Sequence, residues 1–138
     1  MRSLGLDVGE KRIGVALSDP SGILASPFTI IDCKEEATDI KAIIDIVTEY
    51  QVKQIIAGLP RSMDGSLGKQ AEKVKAFVEK LRERTEVPIE FRDERLSTVA
   101  AKRLMQDVTG RRTGKRARDD AIAAALILQG YLDESPGQ

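Results

Sequence analysis

The chain has 138 residues, 41% of them hydrophobic, and its 22 basic side chains are balanced by 22 acidic ones. That length holds the core of one domain, and the balance removes net charge as an argument for a polyanionic partner. With no histidine and a single cysteine, Cys33, imidazole acid–base chemistry, an intramolecular disulfide and the usual zinc ligand sets are excluded, so any metal must be held by oxygen ligands of the kind that suit magnesium or manganese.

From the N-terminus, Ser3 to Val8 and Ile13 to Leu17 are short apolar segments around Gly9-Glu10-Lys11-Arg12, the pattern of a hairpin. Ser18 to Gly22 predicts a second turn, and Ile23 to Ile31 a third strand in which Pro27 calls for an edge position or a bulge. Ile40, Ile43, Ile44 and Val47 then repeat at helical spacing to about Tyr50. Val52 to Leu59 predicts a buried strand, followed by the loop Arg61 to Ser66. Leu67, Ala71, Val74, Val78 and Leu81 trace a second helix, Val87 to Phe91 a short strand, and Ala100, Ala101, Leu104, Met105 and Val108 a third helix. After a connection over 109–117, a last helix is expected from Arg118 to Leu132, with 133–138 as a frayed tail. The order predicts a single α/β domain over 1–138, a mixed sheet with helices on both faces. The longest apolar run, Ala121 to Leu128, is far shorter than the roughly 20 residues that cross a bilayer, and the N-terminus has no secretory pattern. A cytoplasmic protein without a membrane partner is expected.

Three acids stand at the ends of predicted elements. Asp7 closes the first strand before Val8-Gly9, Glu94 follows the strand over 87–91, and Asp120 opens the apolar segment of the last helix. Each has a plain structural reading, Asp7 as a turn cap, Glu94 as part of a solvated charged loop, and Asp120 as a helix cap, a place that Asp119 fills as well. Ligands nonetheless gather beyond the carboxyl ends of strands in open α/β sheets, and the three acids together would make a centre for two divalent ions about 4 Å apart acting on a phosphate.

Basic residues surround these positions. Lys11 and Arg12 are either phosphate contacts or a solvated hairpin tip, Arg61 is a candidate substrate contact, and Ser66 reads best as the cap of the following helix. Arg95 either orients Glu94 or touches substrate. Within 111–118, Arg111, Arg112, Lys115, Arg116 and Arg118 give five cations without an acid, either a solvated face or, from its place just before Asp120, a block that grips a nucleic-acid backbone without reading its bases. Three phenylalanines, two tyrosines and no tryptophan leave little for a base-stacking platform.

Four stretches in order carry a resemblance that covers almost the whole chain: Gly5-Leu6-Asp7-Val8-Gly9-Glu10-Lys11-Arg12-Ile13-Gly14-Val15-Ala16, Gly58 to Ser66, Asp93-Glu94-Arg95-Leu96-Ser97-Thr98, and Asp120 with Ile127-Leu128-Gln129-Gly130-Tyr131-Leu132. The sequence resembles the YqgF/RuvX family of pre-16S ribosomal RNA nucleases, relatives of the RuvC Holliday-junction resolvases in the RNase H-like superfamily. The resemblance implies a five-stranded RNase H-like sheet and a catalytic, metal-binding trio of Asp7, Glu94 and Asp120 with Mg2+ or Mn2+. It also implies a nuclease acting on ribosomal RNA precursor, structured nucleic acid or pre-ribosomal particles, as a monomer or weak homodimer. The further acid that RuvC-like resolvases carry one helical turn later is replaced here by Ala123 and Ala124. The alternatives are a Holliday-junction resolvase and a non-catalytic nucleic-acid-binding protein of the ribosome. A sugar-kinase or actin-like reading is disfavoured by length, since that group uses two related domains.

Overall fold

Alternation of apolar residues builds the sheet. β1 (Ser3–Val8) and β2 (Arg12–Ser18) pair antiparallel, with Leu6 opposite Val15 and Asp7 opposite Gly14. The computed structural model describes residues 1–59, 68–93 and 115–134, with 93 and 115–119 described by backbone alone. β3 (Ala25–Asp32) pairs antiparallel with β2 and starts two residues later than the apolar run implies. The cause is Asp19, whose Oδ1 accepts the amides of Ile23 at 2.8 Å and Leu24 at 3.0 Å. Those two amides close a turn instead of joining the ladder, and both side chains are exposed. Gly22 supplies the positive φ of 77° that this turn requires. Pro27 meets both parts of its expectation, because β3 is an edge strand and its register with β2 shifts between Val15 and Ala16, where Phe28 is the extra residue.

α1 (Glu36–Glu49) follows, and its end explains why the next strand starts late. Gln51 takes φ 53°, its amide bonds Thr48 O, and Val52 N donates to Val47 O at 2.9 Å, a left-handed closure that packs Val52 beside Val47. β4 therefore spans Gln54–Leu59 rather than starting at Val52. α2 (Lys69–Arg82) has Gly68 at its N-cap and no side-chain cap. The helix thus begins two residues beyond the expected start at Leu67, and Ser66, the expected cap, lies outside the described residues. β5 (Ile89–Asp93) is also displaced by two residues, since the Val87 amide is taken by Thr85 Oγ1 at 3.2 Å.

The five strands order as β3-β2-β1-β4-β5, with β1, β4 and β5 parallel. α1 and α2 cover one face, where Leu4, Leu6, Ile13, Val15 and Ile55 pack against Ile43, Val74, Val78 and Leu81. Each such burial stabilises by about 1.5–3 kcal/mol. α3 (Lys115–Glu134) covers the other face, where Ala16, Ala25 and Ile56 meet Ala124, Ala125, Ile127, Leu128 and Leu132.

α3 corrects the expected start at Arg118. Lys115, Arg116, Ala117 and Arg118 are good helix formers and belong to it, so Asp119 and Asp120 sit inside the helix and neither is its cap. The other end is corrected as well: Asp133 and Glu134, expected in a frayed tail, are helical, and Glu134 is ion-paired with Arg92. The expected third helix over 100–108, residues 109–114 of the connection, and 135–138 lie outside the described residues.

Candidate active site

The α3 side of the sheet is lined by residues small enough for backbone to approach backbone. A Cβ on Gly5 would fall 2.8 Å from the Ala124 carbonyl oxygen and 2.9 Å from Leu128 Cβ. A Cβ on Gly14 would fall 2.0 Å from the Asp120 carbonyl oxygen and 2.4 Å from its carbon. Only hydrogen fits at either place. These two glycines also locate Asp7. Strand neighbours two apart and direct cross-strand partners share a face; Gly5 is two residues before Asp7, and Gly14 is its partner. Asp7 therefore stands on the α3 side of β1, level with the strand position on which the Asp120 backbone rests. Both residues are partly buried.

Arg12 has the same facing as Gly14 and Ala16 along β2 and meets Asp120. Its Nε donates to Asp120 Oδ2 at 3.0 Å, with the two side chains 31% and 33% exposed. The hairpin that presents Arg12 is closed by Gly9 N donating to Arg12 O at 2.9 Å, and a Cβ on Gly9 would come within 2.8 Å of that same oxygen. Gln70 Nε2 donates to Val8 O at 3.2 Å, and Lys73 pairs with Glu10 at 3.3 Å, so α2 braces the hairpin from the opposite face. Lys11 is exposed at the tip. Sequence reasoning placed Arg12 among phosphate contacts and missed its partnership with Asp120. The usable signal was Arg12, Gly14 and Ala16 at alternate positions, a long cation beside two small residues on one face of one strand.

Arg92 shares the α3 side from β5. Its Nη1 and Nη2 donate to the two carboxylate oxygens of Glu134 at 2.6 and 2.9 Å, which holds the Glu134 carboxyl below its usual range through the Arg92 hydrogen bonds and charge. β5 ends at Asp93, one residue before Glu94. Glu94, Arg61, Arg95, Arg111 and Arg112 lie outside the described residues, while Lys115, Arg116 and Arg118 occupy the opening turns of the α3 backbone.

The described donors fit part of a hard-cation site. Among the described residues no group of three or more His, Cys, Asp and Glu side chains is assembled for a metal. Asp7 on the α3 side of β1 and Asp120 on α3 itself offer carboxylate oxygens alone, the donor type that magnesium and manganese take. Cys33 does not compete, because it packs against the α1/α2 core and its thiol is pushed up by burial and by the charges of Asp39 and Asp32. Among the described residues no helix is long and apolar enough to cross a membrane.

A family model described as "RuvX: Holliday junction resolvase" matches residues 1–134. A protein of Roseiflexus sp. (strain RS-1) is 49% identical over 132 residues, covering 96% of this chain and 94% of the relative. One from Caldanaerobacter subterraneus is 49% identical over 134 residues, covering 96% of each. Both carry the name "Putative pre-16S rRNA nuclease". Among solved structures, Thermus thermophilus RuvC in complex with a Holliday junction substrate is similar at a TM-score of 0.63 and 15% identity, covering 99% of this chain and 97% of that one. The fowlpox virus resolvase bound to Holliday junction DNA is similar at 0.60 and 12% identity, covering 99% of each. At those identities the likeness establishes the mixed five-stranded RNase H-like fold.

Proposed function

Since the chain belongs to the RuvX family, we propose that it is a metal-dependent nuclease that hydrolyses RNA phosphodiester bonds in maturing the 5′ end of pre-16S ribosomal RNA, and that it does so in the cytoplasm. The observation that carries the reading is the crossing of α3 over β2 at Gly14, which sets Asp120 on the same side of the sheet as Asp7. With Glu94 they form the proposed trio that holds Mg2+ or Mn2+. When bound, such an ion supplies Lewis acidity at the phosphate and activates water at neutral pH.

The protein's own part is placement. Asp7 comes from the sheet and Asp120 from a helix seated directly on it, so the backbone positions from which the two carboxylates project are set by backbone contact at Gly14. The opening of α3 attracts anions twice over: Lys115, Arg116 and Arg118 stand where acids would normally offset the helix dipole, and its first turn has no acid. Together with Lys11, Arg61, Arg95, Arg111 and Arg112, these cations would hold the phosphate backbone and leave base identity unread. No covalent enzyme intermediate is needed.

The test compares Asp120→Asn with Asp119→Asn on ribosomal RNA precursor, single-stranded RNA and a four-way DNA junction, with Mg2+, Mn2+ or chelator. Asp120→Asn is expected to bind RNA and lose at least about a hundredfold in cleavage, the scale of removing a group that acts in the transition state, while Asp119→Asn keeps most of both. Full cleavage by folded D120N overturns the trio. The description of the family model favours one second reading, junction resolution, and cleavage confined to the four-way junction would establish it in place of RNA processing.

A further inference from the structure

Arg12 reaches Asp120 in a way that suits a temporary partner. Among the described residues its guanidinium is engaged through Nε alone, on one carboxylate oxygen, and both side chains are about one-third exposed. An ion pair of that kind is weak, and among the described residues neither terminal amino group has an acceptor, which leaves both for another anion. Arg92 shows the contrasting arrangement, forked onto both oxygens of Glu134 with only 12% of its side chain exposed, the geometry of a pair that lasts. Arg12 is nonetheless held in position, since its carbonyl closes the hairpin with Gly9 and its strand is registered against β1 and β3.

We propose that Arg12 is a positioning residue that serves as the counter-ion of Asp120 while no metal is bound, and passes to a phosphate of the nucleic acid when a divalent cation takes the carboxylate. This rests on the reading of Asp120 as a metal ligand. A divalent ion held by the Asp120 carboxylate would place like charge close to the guanidinium and draw on the same negative charge, which would weaken the hold of Asp120 on Arg12. Released, the guanidinium remains at the end of the hairpin beside Lys11, on the α3 side of the sheet where the substrate backbone would pass, and its planar fork matches phosphate. Metal binding thereby creates a phosphate contact, so the grip on nucleic acid tightens once the centre is loaded.

The experiment titrates Mn2+ alone into the full chain by calorimetry, using the parent, Arg12→Gln, Arg12→Lys and Asp120→Asn, each checked for folding by its thermal melt. Loss of the competing cation is expected to make R12Q bind Mn2+ about two- to fivefold more tightly than the parent, while R12K, which keeps the charge, stays close to the parent. The salt dependence of binding to a phosphorothioate RNA is then measured with and without Mn2+. In the parent, Mn2+ should steepen the slope by about one phosphate contact; in R12Q it should not. Equal or weaker Mn2+ affinity in R12Q, or a parent slope that Mn2+ leaves unchanged, overturns the proposal. A parent that binds no Mn2+, or a D120N protein that binds it as well as the parent does, overturns instead the metal reading beneath it.

Discussion

The two ends of α3 are fastened to the sheet by the same chemistry at different strength. At the C-terminal end Arg92 forks onto Glu134, Gln129 accepts the Ala25 amide at 2.8 Å and donates to Ile23 O at 3.0 Å, and the Tyr131 hydroxyl reaches Gln54. At the N-terminal end, among the described residues, a single Nε contact from Arg12 meets Asp120, and backbone lies directly against Gly14. One end is an anchor built from side chains that satisfy each other. The other is a steric seat whose carboxylate, among the described residues, meets one partly exposed cation. Under the proposed function, rigidity supplied from a distance would let the near end keep a ligand-ready acid in place without spending that acid on stability.

The largest expected effect tests the seat. Gly14→Ala would drive a Cβ into the Asp120 carbonyl and the Ala121 nitrogen, all backbone that cannot rotate away, so about 3 kcal/mol of stability should be lost in urea unfolding, together with Mn2+ affinity. Gln129→Ala tests the anchor. It strips the buried Ala25 amide of its acceptor and is expected to cost about 1–2 kcal/mol with Mn2+ affinity unchanged. Equal losses of Mn2+ affinity in the two variants would break the distinction between the ends.

Gly130→Ala gives a smaller effect at the same anchor. The three atoms nearest its added Cβ all belong to the Arg92 guanidinium, at 2.7, 2.8 and 3.0 Å, the far end of a side chain rather than backbone. A loss of about 1 kcal/mol or less is expected in the same unfolding assay. A G130A penalty exceeding that of G14A would mean that the guanidinium, not the helix backbone, sets the height of α3 above the sheet.

The sequence made this fold readable wherever one face of an element met the core. Leu4 and Leu6 against Val15 and Leu17, the helical stripes of α1 and α2, and Pro27 at an edge with a bulge follow from periods and from the missing proline amide. Boundaries escaped where a local polar group took an amide, as Asp19 did with Ile23 and Leu24 and Thr85 with Val87. The start of α3 escaped for another reason: a run of cations reads as a solvated connection, yet lysine and arginine propagate a helix well once tertiary packing begins it. At the site, the acids could be singled out from their places at element ends and from the family resemblance. The Arg12 to Asp120 pair could not, because its partners are 108 residues apart and neither shows in its local sequence which cation or acid it will meet.

The smallest effect separates the anchor from the rest of the molecule by pH. Arg92 lowers the Glu134 carboxyl from its usual value through hydrogen bonds and charge, so the folded state binds that proton less readily than the unfolded chain does. The stabilisation is complete above the ordinary glutamate value of about 4.3 and is lost as the pH falls through the lower folded value. Asp19 works in the same direction, held well below the carboxylate range first by the Ser21 hydroxyl and then by the amides of Leu24 and Ile23, so both proteins in a comparison will lose stability in acid. Glu134→Gln removes only the Glu134 part. The difference in unfolding stability between parent and E134Q should therefore be constant above the glutamate range and shrink toward acid, leaving the Asp19 loss in both. A difference that holds constant through acid would show that the carboxylate's charge adds nothing to the fork, and would reduce the C-terminal anchor to Gln129 and the apolar contacts of α3.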